Sequence, residues 1–166
     1  IESQITSLYS SLEERENTIK EQKRIIEELD STKKQIEGNL KEQIEDQQIQ
    51  LKEMEGKLKV TFIDKILFDS GSVEINPNGK KLLSTLAKTL RENKDQSIII
   101  QGHTDNVKIG RELGKIYPTN WELSAGRSTA VLRFLIENAG INPDRGTACG
   151  NSFHDPVASN LTEEGR

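Results

Sequence analysis

Apolar side chains recur at alternating steps of three and four residues through the first 58 residues, a spacing that keeps them on one face of an α-helix. This stretch contains no proline. The repeat is close to the ~3.5 residues of a left-handed coiled coil. We call the repeating positions the apolar seam: Ile1, Ile5, Leu8, Leu12, Ile19, Ile26, Leu29, Ile36, Leu40, Ile44, Leu51, Met54 and Leu58. The spacing predicts a helical coiled-coil stalk over residues 1–58.

The seam also indicates how the stalk pairs. Two consecutive four-residue steps, from Ile36 to Leu40 to Ile44, break its phase, and such a stutter locally unwinds a supercoil. β-branched residues at the first position of each heptad favour a parallel two-stranded coil, so we expect a homodimer through residues 1–58. The alternatives are a single amphipathic helix lying on another surface and a disordered charged linker.

The rest of the chain has a different composition. Residues 59–166 hold six of the seven aromatic residues, all four prolines and ten of the twelve glycines. These are the residues of a packed core and of turns. The sequence therefore predicts two domains, a polar stalk over 1–58 and a globule over 59–166.

Charge and hydropathy exclude several functions. The formal net charge is −4 at pH 7, and neither part has the basic surplus typical of nucleic-acid binding. The longest uninterrupted aliphatic run is Ile98 to Ile100, too short for a membrane span or a signal peptide. We therefore expect any membrane anchor to lie outside this chain.

Alternating strand and helix patterns predict the fold of the globule. Their order is strand, helix, strand, helix, strand, which indicates an α+β fold: a βαβαβ sandwich with the helices on one face of a mixed sheet. Caps support both helices, with an Asn-Pro start for the first, and a capping box and a terminal glycine for the second. The predicted segments are strands at 59–63 and 66–68, a helix at 77–92, a strand at 97–102, a helix at 120–139 and a strand at 147–150.

The second predicted helix carries an unusual polar stripe. Asn120, Ser124 and Arg127 fall on its core-facing side, where a guanidinium needs an anion because an unpaired buried charge is costly. The helix N-terminus adds positive potential there, which together predicts a carboxylate receptor. Asp105 follows the predicted strand 97–102, at the edge where α/β sheets bind ligands. Asp105 and Arg127 could hold the two ends of a zwitterion, or they could simply pair with each other.

Separated motifs in this order resemble the OmpA-like peptidoglycan-binding domain over roughly residues 58–166. The long loop before Asn120 and the Thr-Asn-Trp-Glu-Leu-Ser wording are most similar to the MotB branch, the stator subunits of flagellar motors. The motifs are Phe68-Asp69-Ser70-Gly71-Ser72, Gly102-His103-Thr104-Asp105, Asn120-Trp121-Glu122-Leu123-Ser124-Ala125-Gly126-Arg127, Gly150 with Pro156, and Thr162-Glu163-Glu164-Gly165-Arg166.

The resemblance implies a non-catalytic domain that grips the peptide stem of peptidoglycan, chiefly its diaminopimelate residue, without a cofactor or a metal. It assigns Asp105 to the amino group and Arg127 to the carboxylate. Because the family continues beyond Glu-Gly-Arg with an Asn-Arg-Arg segment, it also implies that the fold is completed after Arg166. The remaining residues that it places at the site are Asn120, Thr104, Asp69, Ser70, Gly71, Leu123 and Ser124.

The resemblance also implies a location and partners. We expect a periplasmic protein of the cell envelope, anchored to the inner membrane by a segment outside this chain and joined to a membrane-embedded motor or envelope partner. Its role would be to anchor a MotB-like stator to the wall. A Pal-like outer-membrane tether and a structural dimerisation module without wall binding are the alternatives.

Other motifs are weaker. His103 and Asp105 form a metal-like pair, but the chain has only one further His and one Cys to complete a site. A Ser-His-Asp triad built on Ser124 lacks the glycine pattern of a nucleophile elbow. We predict that Trp121 and Phe134 belong to the core.

Overall fold

The computed structural model describes residues 2–70 and 72–155. Ile1, Gly71 and the segment 156–166, with Pro156 and the motif at 162–166, lie outside the described residues. The helices are α1 (Glu2–Asn39), α2 (Lys41–Glu45), α3 (Asp64–Leu67), α4 (Pro77–Glu92) and α5 (Asn120–Glu137). The strands are β1 (Ile49–Met54), β2 (Lys57–Phe62), β3 (Ile98–Gly102) and β4 (Gly146–Gly150), and short 3-10 turns occupy Leu113–Lys115 and Pro143–Arg145.

The predicted α+β class is confirmed, with a long N-terminal helix and small sheets. In the described residues the strands form two pairs, an antiparallel β1–β2 hairpin and a parallel β3–β4 pair, where the sequence predicted one mixed sheet. The segment 66–68, predicted as a strand, instead closes the helical turn α3. Phe68 keeps a single isolated bridge to Ile75, so this segment does not join the two pairs.

The helix predicted for the stalk is correct up to Glu45, apart from a break at Leu40 between α1 and α2, and wrong beyond it. Gln47 has a φ of 58°, which ends the helical path, and β1 begins at Ile49. Three residues that were counted on the apolar seam therefore lie in the hairpin: Leu51, Met54 and Leu58.

The hairpin forms because its turn residues suit a tight reversal. Glu55 and Gly56 both have positive φ, 52° and 70°, as a two-residue turn between antiparallel strands requires. Leu58, Val60 and Phe62 then alternate with the polar residues Lys59 and Thr61 along β2 and pack against the core. This alternation with a period of two was present in the sequence, but Leu58 also fitted the helical spacing of three and four residues, so the hairpin residues up to Leu58 were predicted as helix.

α1 has two parts with different surroundings. Along its first two thirds the seam lies at the surface of the chain, with Leu8 64% and Ile26 61% exposed. Near its end, Ile36 is 2% exposed and belongs to the core, which Leu40 also joins. No helix in the described residues is both long enough and apolar enough to cross a membrane. The C-terminal part of α1 is thus packed into the globule, while the N-terminal part extends from it.

Polar side chains fasten the end of α1 to α4 and to the loop that follows α4. Thr32 and Thr89 are buried, at 2% and 1% exposure. The hydroxyl of each accepts a hydrogen bond from a side chain on the other side of this contact between α1 and the α4 region. Buried polar groups that are paired in this way fix the relative position of the two elements. The three bonds run from Asn39 to Thr89 (3.1 Å), from Asn93 to Gln35 (3.2 Å) and from Gln96 to Thr32 (3.1 Å).

Both predicted caps of α4 and α5 are confirmed. The Asn76 side chain accepts a hydrogen bond from Gly79 N at 2.7 Å, with Pro77 in the first turn of α4. At the start of α5, Thr119 and Glu122 form the predicted capping box. The helices therefore begin where the local sequence specifies.

α5 lies unusually close to the ends of β3 and β4. A Cβ atom on Gly102 would fall 2.0 Å from Ser124 O, and one on Gly150 would fall 2.5 Å from Ala125 N. These two glycines face each other in the parallel register. The absence of side chains at both positions is what lets the helix backbone rest on the strand ends.

Gly102→Ala should therefore destabilise the fold. The added methyl group has to move the backbone of α5, and overpacking of this kind costs about 1–3 kcal/mol in the free energy of unfolding. Urea denaturation followed by circular dichroism measures the change. Gly110→Ala is the matched control, because nothing lies within 4 Å of its Cβ position, and it should stay within about 0.5 kcal/mol of the parent. Equal stability of the two variants would contradict the close approach.

Candidate functional site

The first half of α5 turns polar residues toward the interior, as the sequence predicted. Ser124 is 0% and Arg127 8% exposed, and Asn120 is half-buried. The Ser124 hydroxyl donates to Trp121 O at 3.0 Å and accepts from Ser152 N at 3.1 Å. Ser124 therefore ties the helix to the segment after β4. Leu123, beside it, is also buried.

Arg127 is held from three directions. Its Nε donates to the Ser72 carbonyl oxygen at 3.0 Å, and its Nη1 lies 3.0 Å from Asp64 Oδ1. Its guanidinium carbon lies 5.0 Å from the centroid of the Phe68 ring, a cation–π contact. The Arg127 side chain is 10% exposed and that of Asp64 is 49% exposed. A nearly buried cation is thus compensated by a carboxylate that reaches the surface.

Asp64 is the site residue that the sequence analysis missed. It opens α3, separated by one residue from the end of β2, whereas the sequence pattern pointed to Asp105 as the acidic residue near Arg127. A single acidic residue directly after the apolar pair Phe62 and Ile63 was the available signal. Such an acid is common at the start of a helix, so the signal did not point to Arg127.

The pKa of Asp64 lies above the ordinary value of a carboxyl group. Partial burial is the largest cause because it removes water from the ionised form, and Asp105 adds the repulsion of a like charge. Arg127 acts in the opposite direction, as does Lys65 to a smaller extent.

The loop after β3 is fixed over the start of α5 by Asn120. The Asn120 side-chain amide donates to the carbonyl oxygens of Asp105 and Val107, both at 3.3 Å. Asp105 Oδ1 accepts a hydrogen bond from Val107 N at 3.0 Å, which closes a local turn. Within residues 2–70 and 72–155, Arg127 forms its ion pair with Asp64 and none with Asp105. The simple alternative, in which Asp105 and Arg127 pair with each other, is therefore not what the structure shows.

The other predicted site residues surround this centre. Thr104 N donates to Ser152 O at 3.0 Å, and in the described part of the chain the Thr104 hydroxyl is buried without a hydrogen-bond partner. Asp69 and Ser70 are exposed in the turn before α4, and Asp69 Oδ1 lies 3.5 Å from Asn76 Nδ2. Gly71 lies outside the described residues. The ligand contacts assigned to these residues remain predictions.

The prediction that Trp121 belongs to the core is wrong. Trp121 is 50% exposed, and its ring stacks on the His154 ring with the ring centroids 5.3 Å apart. His154 in turn stacks on Phe153 at 4.4 Å. Trp121 lies in the first turn of α5 and faces outward, whereas Phe134 packs against the core as predicted.

The side chains gathered around the start of α5 carry charges of both signs. Arg127 contributes a nearly buried guanidinium, Asp64 and Asp105 contribute carboxylates, and Asn120 fixes the loop that carries Asp105. In the described residues, no three His, Cys, Asp or Glu side chains come together as a metal site would need.

Comparison with known proteins places this α+β domain in a family. The OmpA family model matches residues 67–166, which is more than half of the chain. The chain belongs to the OmpA family, and the resemblance found in the sequence is confirmed.

Two relatives show how far the similarity extends. Motility protein B from Bacillus subtilis (strain 168) is 36% identical over 140 residues, which cover 84% of this chain and 52% of that protein. Outer membrane protein A from Bordetella avium is 35% identical over 108 residues, 65% of this chain and 52% of that protein. This chain therefore spans about half the length of these relatives.

Solved structures agree with the fold. A crystal structure of a MotB-like protein from Desulfovibrio vulgaris superposes with a TM-score of 0.77 at 32% identity, covering 87% of this chain and 88% of that one. The cell wall anchor of the T6SS from Pseudomonas aeruginosa superposes with a TM-score of 0.70 at 31% identity, covering 79% and 88%. MotB-like proteins are thus among the structural relatives.

Replacing Asp105 should lower the pKa of Asp64. Asp105→Asn removes the like charge but keeps the acceptor for Val107 N, so the loop is preserved. Carbon-detected NMR titration of the Asp64 carboxyl group measures the shift. Asp144→Asn is the control. Asp144 is exposed and precedes the first residue of β4, whereas the site lies near the last residue of that strand, Gly150.

The same variant should change the pH dependence of stability. Because the pKa of Asp64 is higher in the folded chain than the ordinary 3.8, the stability that it contributes is present below that value. This contribution is lost as the pH rises from 3.8 through the raised pKa. We expect a smaller loss in Asp105→Asn, measured by urea denaturation at several pH values, and an unchanged loss would contradict the interaction.

Proposed function

We propose that this chain binds peptidoglycan noncovalently and anchors a complex of the cell envelope to the wall, with no catalytic step. Membership of the OmpA family and the similarity to the cell wall anchor of the T6SS from Pseudomonas aeruginosa support this function. The observation that carries it is that Arg127 is held nearly buried on α5, while Asn120 at the start of the same helix fixes the loop that carries Asp105. The proposed binding cleft lies between Arg127 and Asp105. Oppositely charged groups fixed in one cleft suit a zwitterionic amino acid.

Each end of the cleft has its own role in this proposal. Asp105 receives the ammonium group of a diamino acid such as diaminopimelate in the stem peptide, and Arg127 receives its carboxyl end. Asn120 holds the loop that carries Asp105, so that the two ends keep their separation. The residues proposed to line the rest of the cleft are Thr104, Asp69, Ser70, Gly71, Leu123 and Ser124.

The long helix provides a spacer between the wall and a partner. α1 has 38 residues, which corresponds to about 57 Å of helix. Its end is packed into the core and hydrogen-bonded to α4, so the spacer is joined to the binding domain without a flexible linker. We propose that it holds the domain, in the periplasm, away from a membrane-embedded partner in the inner membrane.

Among envelope complexes, we favour a stator of an ion-driven motor. The similarity to Motility protein B covers 84% of this chain and so extends into the N-terminal helices, whereas that to outer membrane protein A covers 65%. A wall anchor would keep such a stator from turning with the rotor that it drives. A Pal-like outer-membrane tether is the alternative, and it would use the same cleft.

Loss of either charge in the cleft should release the protein from the wall. In a pull-down with purified peptidoglycan, Asp105→Asn and Arg127→Gln should each weaken retention by about tenfold or more, because a charged hydrogen bond contributes about 1.5–3 kcal/mol. Arg133→Gln is the control for Arg127, since Arg133 is exposed on the same helix, and Asp144→Asn is the control for Asp105.

The same experiment separates binding from catalysis. Soluble fragments should not accumulate when peptidoglycan is incubated with the protein, because binding leaves the wall intact. Full retention of both cleft variants would overturn the proposed site. A steady release of muropeptides would overturn the non-catalytic function.

We further propose that two copies pair through the exposed part of α1. Leu12 and Ile19 are 55% and 51% exposed in the single chain and lie on the seam. Leu12→Lys with Ile19→Lys should convert the dimer to a monomer in sedimentation equilibrium, since charges at seam positions oppose pairing. Ser10→Lys with Asn17→Lys places the same charges off the seam and should leave the dimer intact. A monomeric parent chain would contradict the pairing.

A further inference from the structure

The guanidinium of Arg127 is not free to grip a carboxylate in the usual way. An arginine binds a carboxylate best through two parallel hydrogen bonds, made by Nη1 and Nη2 or by Nε and Nη2. Here Nε donates to Ser72 O at 3.0 Å, and Nη1 lies 3.0 Å from Asp64 Oδ1. In each of these two pairs of nitrogens, one member therefore already has a protein partner.

Asp64 also limits what can lie beside Arg127. Its side chain is 49% exposed, so a ligand that reaches Arg127 from solvent meets a carboxylate next to it. A free carboxylate in this place would have to displace Asp64 or lie against its negative charge. Displacement would leave a carboxyl group that is already partly desolvated without its cation, which is costly.

A carboxamide fits the same pair of groups without this conflict. Its carbonyl oxygen can accept from Arg127, while its amide N–H can donate to Asp64. The Arg127 donor and the Asp64 acceptor lie 3.0 Å apart. The carbonyl oxygen and the N–H group of one planar carboxamide provide the complementary acceptor and donor. The ammonium end of the ligand would still face Asp105.

We propose that Asp64 makes the Arg127 end of the cleft a receptor for a carboxamide, so that this domain prefers stem peptides whose diamino acid is amidated. This inference rests on the proposed binding of peptidoglycan and names the chemical form of the ligand. Asp64 is thereby a specificity-determining residue, because it sets which of two closely related groups Arg127 accepts.

Two synthetic stem peptides test the preference. They are identical except that the side-chain carboxyl group of diaminopimelate is free in one and amidated in the other. Isothermal titration of the full 166-residue chain should show the amidated peptide binding about tenfold more tightly, a ratio equivalent to about 1.4 kcal/mol. In Asp64→Asn, the order should reverse, because Arg127 is left uncompensated and the new amide can donate to a carboxylate.

The controls separate this inference from the function on which it rests. Asp144→Asn removes one negative charge away from the cleft and should keep the parent preference. Equal or tighter binding of the free carboxylate by the parent chain overturns the carboxamide receptor, as does an unchanged ratio in Asp64→Asn. Binding by Asp64→Asn is compared only if its thermal unfolding shows a cooperative transition. If it does not, the ratio of the two peptide affinities in the parent chain tests the carboxamide receptor by itself. If the parent chain binds neither peptide and is also not retained by peptidoglycan, the proposed function itself is overturned.

Discussion

The contact between the backbone of α5 and the ends of β3 and β4 is the constraint on which the site depends. Gly102 and Gly150 leave no side chain between strand and helix, and the Ser124 hydroxyl fixes the chain after β4 to the helix. With the helix held at this height, Asn120 reaches the loop above it and Arg127 reaches the turn beside α3. A shift of α5 large enough to admit one methyl group would therefore disturb both of these contacts.

Burial of Arg127 links stability and recognition. Removing a guanidinium from water is costly, and the fold offsets this cost with the Asp64 carboxylate, the Ser72 carbonyl and the Phe68 ring. These contacts hold the cation at a fixed place before any ligand arrives, which reduces the entropy lost on binding. They also occupy part of the guanidinium, so in the proposed site the groups that stabilise Arg127 also limit which ligand groups can bind to it.

The N-terminal helix joins the globule through its own core residues. Ile36 of α1 and Leu40, which directly follows it, are buried in one core with residues of α4 and α5, and the bond from Gln96 to Thr32 crosses the same contact. In the proposed anchor, a pull along α1 reaches the binding domain through packed side chains. The exposed seam of the same helix, around Leu12 and Ile19, remains available to a second copy.

The sequence alone determined the features that are encoded within a few residues. The caps of α4 and α5, the polar stripe of Arg127 and the family motifs are local signals, because backbone hydrogen bonds and helical periodicity act over short distances. Only the tertiary structure decided whether 49–58 formed helix or hairpin, since Leu51 and Leu58 satisfy both spacings, whereas Met54 fits only the helical one and is exposed on the hairpin. It also decided that Asp64 pairs with Arg127, because that contact depends on where the packing of α3 and α5 brings two distant segments together.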